Sequence, residues 1–148
     1  MGAAIDPQDA MLRAMNPNRQ LAAPNVWIVV VDDDEAVRDS LKFSLEIEGF
    51  AVRTYARPQL LLNEIEMPAC DCLIVDQNMP GMTGLDLIES LRGRKMLAPA
   101  ILITTHARPE VRSRAASSGV AIVEKPLLDS ILMDNIRHIT ARPQPLPN

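Results

Sequence analysis

Val75-Asp76-Gln77-Asn78-Met79-Pro80-Gly81-Met82-Thr83-Gly84 is the stretch on which the fold of this 148-residue chain turns. Just before it, Cys72-Leu73-Ile74-Val75 is a short apolar run that stops abruptly on a carboxylate. Four apolar residues bounded by Pro and Gly turn signals read as a buried strand, not a helix. Asp76 then lies at the carboxyl edge of a sheet, where ligands bind in open α/β folds.

The same pattern repeats on either side. Upstream, Val26-Trp27-Ile28-Val29-Val30-Val31 is a continuous β-branched and aromatic run, as expected of a parallel strand covered on both faces. It ends in Asp32-Asp33-Asp34-Glu35, acids that suit the start of a helix, with Asp34 placed to cap it. Val37, Leu41 and Leu45 give that helix an apolar face, and Gly49 is its stop. Phe50 to Tyr55 alternates as a strand nearer the sheet edge. Pro58 opens a second helix expected to reach about Glu66, with Leu61, Leu62 and Ile65 on its core side. Downstream of Asp76, a helix is expected from about Thr83 to Leu91, closed by Gly93. Ala100 to Thr104 reads as a fourth strand, and Pro109 to Ser118 as a weaker helix. Val120 to Glu124 is a fifth strand, followed by Lys125-Pro126 and a last helix to about Ile139. Five strand–helix alternations predict a parallel sheet with helices on both faces.

Composition sets the outer limits. Hydrophobic residues make up 47% and charged residues 23%, within the range of globular proteins. No apolar stretch is long enough to span a bilayer, and the N-terminus lacks a signal-peptide pattern, so a cytoplasmic protein is expected. Cys70 and Cys72 read as reduced thiols of a core strand, without the companions a metal site needs. The net charge of −4 conceals two unlike halves. Residues 1–91 carry 6 basic and 15 acidic groups, whereas residues 92–148 carry 9 and 4. Overall acidity argues against direct DNA binding by this chain. The leader, residues 1–25, reads as loose, with one or two helical turns over Asp9 to Met15. Residues 26–140 form the domain, and the Pro-rich tail 141–148 is extended.

Strands one, three, four and five end in Asp32 and Asp33, Asp76, Thr104, and Lys125. In a parallel sheet those ends share one edge, so three acids, a hydroxyl and an ammonium converge. Clustered carboxylates repel one another, and a hard divalent cation relieves that repulsion. The lysine supplies a fixed charge opposite. Such a pocket suits a phosphoryl group in transfer to Asp76 as nucleophile.

With these four features in order, the chain resembles a two-component response-regulator receiver domain, and is similar in texture to the FixJ type. The resemblance rests on an apolar strand ending in an acidic pair and on the Asp76-x-x-Met79-Pro80-Gly81-Met82-x-Gly84 loop. It rests equally on Thr104 after strand four and Lys125-Pro126 after strand five, and it covers Val26 to about Thr140. It implies a flavodoxin-like (βα)5 three-layer sandwich with strand order 2-1-3-4-5 and a cis peptide before Pro126. It implies Asp76 as phospho-acceptor. Mg2+, with Mn2+ as a substitute, would be held by Asp32, Asp33, Asp76 and the main-chain carbonyl of Asn78. Lys125 and Thr104 would then contact the phosphoryl group.

The implied partners are a sensor histidine kinase and a downstream protein docking on the fourth helix, fifth strand and last helix. The chain would assist its own Mg-dependent phosphorylation and dephosphorylation, as a signalling module and not a metabolic enzyme. No membrane partner is implied, and Met11, Leu12 and Met15 are candidates for a homodimer contact.

One position departs from the pattern. Three residues before the lysine, where the family carries Tyr or Phe, stands Ile122. That departure supports an alternative reading, a non-switching receiver acting as a constitutive protein-interaction module. His106, two residues past Thr104, is a candidate for tuning phosphate lifetime. A phosphatase on the same sheet is disfavoured, because Asn78 stands where a second Asp would serve as general acid.

Overall fold

In the computed structural model, residues 7, 8, 11, 26–127 and 129–140 are described. The leader apart from those three residues, and the whole tail, lie outside the described residues, as does most of the expected Asp9–Met15 helix.

Among the described residues from Trp27 onward, ten elements follow one another in strict alternation: β1 (Trp27–Val31), α1 (Glu35–Ile47), β2 (Ala51–Tyr55), α2 (Pro58–Leu62) and β3 (Cys72–Asp76). Then come α3 (Gly84–Gly93), β4 (Ala100–Thr104), α4 (Pro109–Ser117), β5 (Ala121–Glu124) and α5 (Asp129–Thr140). The strands make one parallel sheet in the order β2-β1-β3-β4-β5. β3 and β4 are buried at every position, which is why their sequences are apolar throughout and do not alternate.

The two sheet faces carry separate cores. On one, Val29, Val31, Leu73, Val75 and Leu102 pack with Leu61 of α2 and with Leu85, Ile88 and Leu91 of α3. Ala115 is the sole fully buried residue that α4 contributes to that side. On the other face, Ile28, Val30, Cys72, Ile74, Ile101 and Ile103 pack with Leu41 and Leu45 of α1 and with Leu132 and Ile136 of α5.

Local signals set most of the boundaries. Asp34 caps α1 by accepting the Val37 N–H at 3.2 Å, and Gly49 adopts φ 96° just beyond it. Thr83 caps α3 by accepting the Asp86 N–H at 3.2 Å, so the helix starts one residue after the expected Thr83.

Two boundaries are corrected. α2 stops at Leu62, well short of Glu66, and Ile65 projects fully into solvent where a core position was expected. The Leu62 carbonyl accepts a hydrogen bond from Arg94 at 2.6 Å, which caps the helix end from another element. Gly93 is the last residue inside α3, and the left-handed residue that follows is Lys95, φ 68°. The Met96 N–H still reaches back to the Leu91 carbonyl at 3.0 Å, so the turn closes with lysine in the place usually taken by glycine.

Candidate functional site at the carboxyl edge of the sheet

The register decides which strand ends meet. Val31 is level with Val75, so the next residues, Asp32 and Asp76, are neighbours. Asp76 is level with Ile103, which puts Thr104 one residue farther out, and Thr104 is level with Glu124, just before Lys125. Side chains alternate along a strand, so Asp32 and Asp76 follow Val30 and Ile74 toward the α1–α5 side. Thr104 follows Leu102 toward the α3–α4 side.

Asp32, Asp33 and Asp76 each offer a carboxylate oxygen, and these oxygens lie within 4.8 Å of one another. Asp32 and Asp76 are 1% and 4% exposed, while Asp33 faces solvent. Lys125 Nζ stands 3.6 Å from Asp76 Oδ1. The Asn78 N–H donates to the same oxygen at 3.3 Å. Asp32 Oδ1 accepts the Asp34 N–H at 2.9 Å, and its main-chain carbonyl accepts Arg38 at 2.8 Å. Asp32 Oδ2 is buried without a hydrogen-bond partner, the one such side-chain atom among the described residues.

Burial pushes the Asp32 carboxyl up from its ordinary value, against the Asp34 N–H and the Lys125 charge, which pull it down. Asp76 is raised too, first by burial and then by the Asp32 charge, and Lys125 offsets this only in part. The pocket therefore holds more negative charge than its lysine neutralises. A buried orphan oxygen beside two further carboxylates is the donor set a hard divalent cation takes. The residues present fit Mg2+.

A model of the response regulator receiver domain matches residues 28–137. The chain belongs to the response regulator receiver domain family.

The receiver is 38% identical over 108 residues to the C4-dicarboxylate transport transcriptional regulatory protein DctR of Rhodobacter capsulatus, covering 71% of this chain and 55% of that protein. It is 31% identical over 119 residues to the transcriptional regulatory protein FixJ of Bradyrhizobium diazoefficiens, covering 80% and 58%. It thus spans little more than half the length of these relatives. Among solved structures, a CheY-like receiver domain protein from Methanospirillum hungatei superposes with a TM-score of 0.71 at 30% identity, covering 76% of this chain and 91% of that one. These likenesses and the strand order establish the flavodoxin-like fold. Receivers are signalling domains that bind Mg2+ at an acidic pocket, and histidine kinases phosphorylate them. No helix among the described residues is long and apolar enough to cross a membrane.

The receiver brings Asp32, Asp33, Asp76 and Lys125 together, and the Lys125–Pro126 peptide is cis. Thr104 is buried at the adjoining strand end, but its hydroxyl is 3.4 Å from the His106 carbonyl. His106 itself is exposed. Ile122 is half-buried in the cluster that contains Leu102, on Thr104's side of the sheet.

Two residues of the site were not singled out from the sequence. Arg38, on α1, reaches back to the Asp32 carbonyl. Gln77 looked like a loop residue, yet it is buried. A sequence shows a polar residue's type, and burial of this kind appears only once the neighbouring turn is placed.

Proposed function

We propose that Asp76 is the residue through which this receiver is phosphorylated, by a partner histidine kinase and with Mg2+, to change its protein partners. The single observation that carries the reading is the contact of Lys125 Nζ with Asp76 Oδ1 at 3.6 Å, inside the three-carboxylate cluster. An Asp76 oxygen attacks the phosphorus of a phosphohistidine. The N–P bond breaks, and its electron pair stays on the imidazole nitrogen. Lys125 offsets the carboxylate charge before transfer and faces the phosphoryl oxygens after it. Asp32, Asp33, Asp76 and the Asn78 main-chain carbonyl would hold Mg2+, with Mn2+ as a substitute. When bound, the cation neutralises charge on the phosphoryl oxygens. Thr104 would release the His106 carbonyl and turn its hydroxyl to the attached group.

The downstream protein docks on α4, β5 and α5, within a domain of residues 26–140 flanked by the leader and tail, in the cytoplasm. The change is a shift between two populated states.

Mass spectrometry after incubation with Mg2+ and acetyl phosphate tests the reading, with Asp76→Asn in parallel. A labile phosphoryl adduct on the native chain and none on Asp76→Asn is the expected result. Ile122 favours a second reading, a receiver that binds partners constitutively. It has no hydroxyl to move, and as a β-branched side chain it has few χ1 choices. No adduct with several donors and candidate kinases would select that second reading.

A further inference from the structure

Gln77 is 7% exposed, directly after Asp76, at the mouth of the loop that runs to α3. Its N–H donates to the Ile103 carbonyl at 2.8 Å, continuing the β3–β4 ladder one residue past Asp76. Its main-chain carbonyl accepts the Gly84 N–H at 3.1 Å. Its side-chain Oε1 accepts the Leu85 N–H at 3.0 Å, in a fully buried hydrogen bond. One residue therefore holds both ends of the segment 78–83, and takes up two of the N–H groups that the first turn of α3 leaves without intrahelical partners.

The segment so held carries Asn78, whose N–H donates to Asp76 Oδ1. The neck is also tight. A Cβ on Gly84 would stand 2.6 Å from the Asp76 carbonyl oxygen, so the α3 start and the Asp76 backbone already touch.

We propose that Gln77 is a positioning residue for the metal and phosphoryl site. Its side-chain clamp on Leu85 fixes where the Asn78 backbone sits beside the Asp76 carboxylate, and so sets the affinity for Mg2+. The proposal rests on the phosphorylation reading for its biological meaning, and its residues are this chain's own. The physical reason is preorganisation. A main-chain oxygen can serve as a ligand without an ordering cost only if the loop that carries it is already fixed. Leu85 N–H and Gln77 Oε1 are buried, so breaking their bond strands a polar group, a cost that favours the arrangement in which the bond is made.

The test is calorimetric Mg2+ titration of the full chain, native against Gln77→Met and Gln77→Glu. Methionine keeps the length of the side chain and removes the acceptor. Glutamate keeps an acceptor for the Leu85 N–H. The expected result is a Kd about tenfold weaker for Gln77→Met and native or tighter for Gln77→Glu. Hydrogen exchange at Leu85 and Asn78 should quicken in Gln77→Met, while exchange in β4 stays native. A purely structural glutamine would lower the melting temperature of Gln77→Met and leave its Mg2+ Kd within about twofold of native, which would overturn the proposal. Should Gln77→Met not fold, a Gln77→Glu variant that weakens Mg2+ binding about tenfold would overturn it equally. A native chain that binds no Mg2+ refutes the metal reading itself, and the native titration alone identifies that outcome.

Discussion

Asp76 and Asp32 are held in a place that costs the metal-free protein stability. Both carboxyls are raised because burial, and for Asp76 the Asp32 charge, outweigh the lysine. A raised carboxyl favours the protonated folded state. Its stabilising contribution is complete below the ordinary carboxylate pKa and is lost as pH rises through the raised one. At pH 7 without divalent cations, Asp76→Asn should therefore be more stable than the native chain. The gap should close as the pH falls toward 4. Thermal melts in EDTA across that range check both the sign and the trend. Gly84→Ala should act in the opposite sense, because the added methyl meets backbone, the Asp76 carbonyl, at 2.6 Å. A loss of about 1–3 kcal/mol is expected, read by urea denaturation. Asp32, Asp33, Asp76 and Lys125 were legible in the sequence because a charge that closes a buried apolar strand falls at the sheet edge, where ligands bind. Gln77 and Arg38 were not, since a polar residue in a loop or on a helix face is the commonest solvated case. Only the fold reveals that these two turn inward.

At the scale of elements, the strands were read to within a residue because four are near-continuous apolar runs and the fifth, β2, alternates as an edge strand does. The helix ends were less legible where a partner from another element decides them. α2 is the clearest case. Spacing from Leu61 to Ile65 suits a helical face, but Arg94 of the distant α3 end takes the Leu62 carbonyl, and Ile65 is left fully exposed. Leu61→Ala should therefore cost about 2–5 kcal/mol by opening a core cavity, whereas Ile65→Ala should stay within about 0.5 kcal/mol of native. Comparable losses in the two variants would mean that α2 runs on as the sequence suggested. Gly93 offers a complementary check. It lies inside the last turn of α3 with open space where a Cβ would go. Gly93→Ala should gain about 0.5 kcal/mol through helix propensity, a small rise in urea midpoint at unchanged slope.

At the scale of the whole molecule, the question is whether a metal at the sheet edge is felt by the core beneath it. Cys72 opens β3 and Asp76 ends it, so the thiol and the carboxylate lie about 13 Å apart along one buried strand. Cys72 is packed in the α1–α5 core, and burial pushes its thiol up to about 12. A thiol that is both buried and protonated reacts only when its surroundings open. Cys70, half-buried before the strand, packs against the opposite core and is likewise pushed up to about 12, so Cys70→Ser isolates the Cys72 signal. The two cores share every strand of one sheet, and no segment of β3 can leave without breaking pairs on both sides. Opening at Cys72 should therefore be global unfolding, and a ligand that binds only the folded state suppresses it by the factor 1 + [L]/Kd. With Mg2+ at ten times its Kd, modification of Cys72 by a thiol reagent should slow by about tenfold in Cys70→Ser. In the further variant carrying Asp76→Asn the cation should have far less effect. Protection that tracks Mg2+ occupancy would show one cooperative unit joining the acidic edge to the base of β3. A rate indifferent to Mg2+ in a chain that binds the ion would mean that the lower end of the strand opens by itself.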